Sequence, residues 1–405
     1  MTLRLTYYAH DWAPSVGGIQ TVYTALANGV SSWSQTHAGE KIKVTMVTQT
    51  PAGGMDDSRL PFTVVRRPGL RKLIDLIRSA DVLHVAGPAI LPLAIAWLLR
   101  KPTVLEHHGY QSICPNGLLV YGPDHTVCPG HFMAARYAEC VRCNSSSDGW
   151  ARSLWGVVLN FVRRWLAGRA TVNVAPSRHI ERRIELPRTQ VIYHGVPVVP
   201  STISRSPNKR EGAPTCFAYV GRLVTEKGLP VLLRACRELA DRGYDFRLKI
   251  VGDGPERPHL RVLARELNID TQTQFLGSVP VDAISDLLTD APVVVMPSVW
   301  EDVAPLVAIE QMMRGALVIA SDIGGLGETV DGAGLKFPPG DDRALAGCMR
   351  QALEDPALVR EIGEKARRHA LKTFTEERMV EEHVQVYQEI LAAWAKKKPI
   401  RDGSS

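Results

Sequence analysis

Apolar residues along this chain come in two rhythms. Short runs rich in β-branched side chains recur at 3–9 (LRLTYYA), 43–49, 81–87, 103–109, 216–223, 247–254, 292–298 and 317–322, several of them ending in Gly, Ser or Asp. Between them lie helix-length amphipathic segments such as 229–243 (LPVLLRACRELADRG). Runs that stay apolar instead of alternating are what strands covered on both faces require. Their alternation with helices predicts α/β layers built on parallel sheets. Ligands of such sheets bind beyond the carboxyl ends of the strands.

The rhythm stops at 197–214 (PVVPSTISRSPNKREGAP), a stretch of Pro, Ser and charge with no apolar period. A chain of 405 residues suits two domains of roughly 200 residues each. The pattern therefore predicts a first domain over 1–198, a linker over 199–213, a second domain over 214–373, an amphipathic helix over 374–397 and a disordered tail over 398–405.

Composition adds limits. With 45% hydrophobic and 22% charged residues the chain reads as globular. A net charge of +6 favours acidic small partners such as nucleotides, lipid headgroups or anionic glycans. It is too spread out for nucleic acid, and no nucleic-acid-binding signature appears. Residues 1–8 read as a strand, not as a signal peptide. The longest apolar run, 86–99, is broken by Pro88 and Pro92 and is too short to span a bilayer. The default location is the cytoplasm, with the inner face of the membrane as its variant.

Two segments carry chemistry. In Gly221-Arg222-Leu223-Val224-Thr225-Glu226-Lys227-Gly228 a strand ends and a helix begins, which sets two cations at the carboxyl edge of a sheet. Arg222 can fork onto phosphate oxygens and Lys227 adds a point charge, beside a helix N-terminus that also attracts anions. The same eight residues also suit an ordinary solvated turn. In the second segment, 297–315 (PSVWEDVAPLVAIEQMMRG), a buried strand enters a loop and Pro305 marks a helix start. Asp302 precedes that helix, and Glu310, on its second turn, can accept hydrogen bonds from a ribose diol or can be a structural carboxylate.

The two segments together resemble the nucleotide-binding domain of glycosyltransferase family 4. So do Val251-Gly252-Asp253-Gly254-Pro255, Phe275-Leu276-Gly277 and Asp322-Ile323-Gly324-Gly325 with Glu328. In the first half the resemblance rests on Pro14–Ile19 (PSVGGI), His108-Gly109-Tyr110, APS at 175–177 and IYHGV at 192–196. It implies a GT-B fold: two facing Rossmann-like domains with parallel sheets, the last helix crossing back to the first domain. It also implies a retaining transferase that uses a nucleoside-diphosphate sugar. Arg222 and Lys227 would bind the diphosphate, with Gly221, Gly252 and Gly277 at the nucleotide. Glu310 would hold the ribose, and Asp302 with Val303, Ala304, Pro305 and Leu306 the donor sugar. Gly17 and Gly18 would let backbone approach the phosphates, and His108, with His107 as competitor, would lie near donor and acceptor.

One residue departs from the family pattern, which has two glutamates with seven residues between them: Asp302 stands at the first of them, with Glu301 beside it. No Asp-x-Asp pair occurs, so Arg222 and Lys227 are left to offset the leaving group's charge without a catalytic metal or other cofactor. Uridine is the commoner donor base and guanosine the alternative. The acceptor is a saccharide or lipid-linked saccharide. A small-molecule acceptor is a second reading, and a non-catalytic nucleotide-sugar-binding subunit a third.

Two further features stay open. Cys114, Cys128, Cys140 and Cys143 suit a structural zinc, free thiols or disulfides. Residues 150–169 carry Trp150, Trp155, Phe161 and Trp165 with Arg152, Arg163, Arg164 and Arg169. Such a helix either lies in a bilayer interface or packs inside the domain with its arginines reaching outward.

Overall fold

A computed structural model describes residues 2–15, 17–36, 41–123, 126–201 and 215–397. It forms two compact units. Most of the expected linker and the whole expected tail lie outside the described residues.

The sheet of unit 1 has seven parallel strands: β1 (Thr2–Ala9), β2 (Lys41–Thr48), β3 (Thr63–Arg66), β4 (Val82–Ala86), β5 (Thr103–Glu106), β6 (Val172–Ala175) and β7 (Thr189–Val191), in the order β3-β2-β1-β4-β5-β6-β7. The order reverses direction between β1 and β4, which is the switch point where such sheets open a crevice. Its helices are α1 (Gly18–Thr36), α2 (Leu70–Ser79), α3 (Ile90–Leu98), α4 (Tyr137–Asp148), α5 (Trp150–Ala167) and α6 (Arg178–Ile184). Leu83, Val85 and Leu105, from β4 and β5, pack with Leu73, Ile77 and Leu93 from the helices into one core.

Unit 2 repeats the design with β8 (Thr215–Val220), β9 (Phe246–Val251), β10 (Thr273–Gly277), β11 (Val293–Met296), β12 (Leu317–Ser321) and β13 (Leu335–Phe337), ordered β10-β9-β8-β11-β12-β13. Every residue of β8, β11 and β12 is buried, which is why those segments read as unbroken apolar runs. Around the sheet lie α7 (Leu229–Asp241), α8 (Arg257–Glu266), α9 (Val281–Leu287), α10 (Leu306–Arg314), α11 (Gly324–Thr329), α12 (Asp342–Glu354) and α13 (Pro356–Thr373).

The last helix, α14 (Glu376–Lys397), belongs to unit 1, not to the unit that precedes it. It lies so close to α1 that a Cβ on Gly29 would stand 2.4 Å from a Val380 methyl. Tyr387 and His383 are wholly buried by this docking.

Helix α5 carries the aromatic and most of the basic residues of 150–169. Its aromatic face is not packed inside: Trp150 is 67% and Trp155 60% exposed, with Phe161 and Trp165 also exposed. Exposed Leu91, Trp97 and Leu98 of α3 extend the patch, with the Trp97 and Trp165 rings edge to face at 5.0 Å. Arg164 reaches the Ile184 carbonyl, and the Arg169 guanidinium stacks 3.5 Å from the Trp165 ring centre. No helix among the described residues is long and apolar enough to cross a membrane.

Candidate functional site

In unit 2 the two motif loops leave the strands that flank the switch point. β8 runs into Gly221–Gly228, and β11 runs into Pro297–Pro305. Two glycines make the first loop possible. Gly252 at φ 129° passes so close to Gly221 that a Cβ would stand 1.9 Å from the Gly221 carbonyl oxygen. Gly228 at φ 66° lies under Pro297, whose carbonyl oxygen would be 2.0 Å from a Cβ there. Neither position accepts a side chain. The Val299 amide donates to the Glu226 carbonyl at 3.0 Å, which stitches the two loops together.

That stitching pairs Lys227 with Asp302. The ammonium lies 2.6 Å from Asp302 Oδ1, and Ser298 donates to Oδ2 at 2.7 Å. Asp302 is buried, so both its oxygens are spent inside the protein. Its partners here are Lys227 and Ser298, because the loop folds the carboxylate inward. Trp300, 5.7 Å from the ammonium across its ring, flanks the pair. Arg222 is exposed at the loop's start and leaves a cation for an incoming anion.

Gly324 and Gly325 hold the second loop from behind, with the Gly325 amide bonded to the Asp302 carbonyl. Pro305 then caps α10, and Val303, Ala304 and Leu306 surround that turn. Glu310 follows one turn later. Burial pushes its carboxyl up to about 7, with no other cause acting on it. A carboxyl poised there can accept from, or donate to, a hydroxyl pair. Gly277 ends β10, and its carbonyl takes the Gly252 amide at 2.8 Å. Gly221, Gly252 and Gly277 thus line one edge of the sheet.

In unit 1, Gly17 and Gly18 stand at the start of α1, where the Gly17 carbonyl accepts the Thr21 amide. His107 and His108 diverge. His107 Nε2 lies 3.0 Å from Asn173 Oδ1, and burial lowers its pKa to about 4. The His108 side chain is 2% exposed, and burial lowers its pKa to about 3. Its ring stacks on His194 at 5.2 Å and stands 3.8 Å from Glu106 Oε2.

The four clustered cysteines are free and buried. Gly122 donates its amide to Cys143 Sγ at 3.1 Å, the Cys114 thiol donates to Asn116, and burial pushes Cys140 up to about 12. Among the described residues, the metal-ligand atoms that converge to within 4.8 Å form two histidine–glutamate groups and no cysteine group. No disulfide joins them, and Cys114, Cys128 and Cys143 all lie near enough to Cys140 to add to the rise in its pKa. Sequence reasoning missed Ser298, Trp300 and the carboxylate Glu106. A charged residue ending the apolar run TVLE was the only visible signal for the last.

Residues 201–369 match the family described as Glycosyl transferases group 1. A 2-deoxystreptamine glucosyltransferase from Streptomyces kanamyceticus is 34% identical over 196 residues, 47% of this chain and 50% of that protein. A putative colanic acid biosynthesis glycosyltransferase, WcaL, from Escherichia coli K12 is 31% identical over 172 residues, 41% and 42% of the two chains. The chain thus spans about half the length of these curated relatives or less. In fold it is similar to Anabaena HepE in complex with UDP, with a TM-score of 0.71 at 17% identity over 96% of this chain and all of that one. The chain thus has a GT-B fold of two Rossmann-like halves, and its residues 201–369 are similar to the glycosyl transferases group 1 family.

Proposed function

We propose that the chain is a family 4 retaining glycosyltransferase that moves a sugar from a nucleoside-diphosphate sugar, UDP ahead of GDP, to a hydroxyl of a saccharide or lipid-linked saccharide. The observation that carries this reading is the junction of two switch-point loops around Lys227, Asp302 and Arg222. The acceptor oxygen bonds to the anomeric carbon while the bond from that carbon to the β-phosphate oxygen breaks. The nucleoside diphosphate leaves with the electron pair, and the acceptor proton passes to a phosphate oxygen. Arg222 and Lys227 stabilise the charge that develops, and Asp302 holds Lys227 in place. No metal ion is needed for this step. Glu310 takes the ribose diol.

The exposed aromatic face of α5 and α3, with its arginines, favours a lipid-linked acceptor reached from the surface of an anionic bilayer. Trp and Phe enter the headgroup boundary while Arg pairs with phosphate.

The deciding experiment is a thermal-shift screen of the full chain against UDP, GDP, ADP and their sugar conjugates. A shift with one base that disappears in Arg222→Ala supports the site. No shift at millimolar concentration in folded protein rejects it.

A further inference from the structure

The centre of unit 1 encloses a carboxylate that the donor chemistry does not use. Glu106 ends β5 and is wholly buried. Four histidines converge on it. His84 Nε2 lies 3.1 Å, His383 Nε2 3.7 Å and His108 Nε2 3.8 Å from Oε2, while His194 Nε2 lies 3.3 Å from Oε1. Oε1 has His194 as its donor. Oε2 has His84 and His383 beside it but no hydrogen bond of good geometry. A carboxylate oxygen enclosed without a well-directed donor or a cation is unfavourable.

His383 narrows the choice. Its Nδ1 lies 2.7 Å from the Met379 carbonyl oxygen, which can only accept, so Nδ1 carries the proton. In the neutral ring Nε2 is then a lone pair, without a hydrogen-bond partner and facing Oε2. Two acceptors that face each other in a dry core call for a cation between them. His84 is oriented the same way from outside: its Nδ1 is 2.7 Å from the Tyr387 hydroxyl, which is 3.0 Å from the Tyr7 hydroxyl. Outer hydrogen bonds of this kind fix the ring of a metal-ligating histidine.

The spacing agrees. Ligands about 2.0–2.1 Å from a tetrahedral metal lie roughly 3.3 Å apart. The separations of 3.1 and 3.7 Å from Oε2 bracket that value, and the three donor atoms all lie within 4.8 Å of one another. The Tyr23 hydroxyl, 3.2 Å from His84 Nε2, closes a fourth side. The competing triad of Glu106, His108 and His194 already has its hydrogen bond at Oε1.

We propose that His84 Nε2, Glu106 Oε2 and His383 Nε2 bind a divalent cation of the zinc class. Two imidazoles with one carboxylate suit zinc, whereas magnesium and calcium take all-oxygen sets. Every donor is enclosed, so the ion is structural. It ties α14 to β4 and β5 and so fixes the last helix on unit 1.

The test is the metal content of untagged full-length protein after gel filtration, by mass spectrometry, in wild type, His383→Asn and the double variant Cys140→Ser/Cys143→Ser. The expected result is about one zinc per chain in wild type and in the cysteine variant, and little in His383→Asn. Chelation of wild type should lower the melting temperature, and added zinc should restore it. Should His383→Asn fail to fold, cobalt-substituted wild type decides. Visible bands without intense sulfur-to-cobalt absorption support histidine–carboxylate ligation, and intense sulfur-to-cobalt absorption overturns it. Zinc lost from the cysteine variant but kept by His383→Asn overturns the proposal. So does metal-free wild type whose melting temperature ignores added zinc, since a proton on histidine then balances Glu106.

Discussion

Lys227 and Asp302, 75 residues apart in sequence, form a 2.6 Å ion pair at the junction of the two loops that flank the switch point of unit 2. The pair is mostly enclosed, with the lysine side chain 18% and the aspartate 7% exposed. It therefore aims the ammonium, and its consequences are measurable.

Removing the cation and removing its holder should differ. Lys227→Ala is expected to lower kcat by about 10²–10³-fold, as loss of a group that faces developing charge does. Asp302→Asn keeps the cation but loosens it, and should cost less. In a double-mutant cycle on kcat/KM the two should couple by roughly 0.5–3 kcal/mol. Strict additivity would mean that Asp302 acts independently of Lys227.

Glu310 should make nucleotide binding sensitive to pH. Its folded pKa is raised to about 7 from 4.5 by burial. The sign follows: folding is undisturbed below about pH 4.5, and stability falls as pH rises towards 7, because the folded state must then ionise a buried carboxyl. The loss is at most about 3 kcal/mol. Glu310→Gln should flatten that slope. A ribose diol donates best to the ionised form, so wild-type affinity for a uridine nucleoside should rise between pH 6 and 8 and that of Glu310→Gln should not. Titration calorimetry across that range checks both.

Gly228→Ala places a methyl against the Pro297 carbonyl and forces a positive φ on alanine. It should destabilise the protein by roughly 2 kcal/mol or more and abolish the nucleotide-induced thermal shift. Gly340, at φ 81° with open space around its Cα, is the control. Gly340→Ala should cost only about 1–2 kcal/mol and leave the shift intact. Equal losses at both sites would mean that backbone conformation, not the contact with Pro297, governs Gly228.

The α5 face predicts lipid binding. Flotation with vesicles containing anionic lipid should capture the protein, neutral vesicles much less. Trp155→Ala with Trp150→Ala should weaken capture about tenfold or more without changing the melting temperature, because both rings are exposed. Unchanged capture would assign the patch to another partner.

Much of the fold was legible because it is local. Eight strands announced themselves as apolar runs, since a strand covered on both faces must be apolar throughout. Strands β3, β7, β10 and β13 escaped because each lies at a sheet edge and is only partly buried, and β6 because Asn173 interrupts it. The helix-start proline and the loop glycines were readable for the same reason: their constraints act within a few residues. The exposure of Trp155 was not legible, since an aromatic–basic helix has one sequence pattern whether its apolar face meets protein or solvent.

By itself, then, the sequence determined the α/β alternation, the break near residue 200 and the residue types at the phosphate loop. Only the tertiary structure decided what those residues meet. It turned Asp302 inward to Lys227 and raised Glu310 by burying it. It also drew His84, Glu106 and His383 together from β4, β5 and α14. The reason is physical: periodicity and backbone constraint are short-range properties of a chain, whereas burial and charge pairing depend on which distant elements pack together.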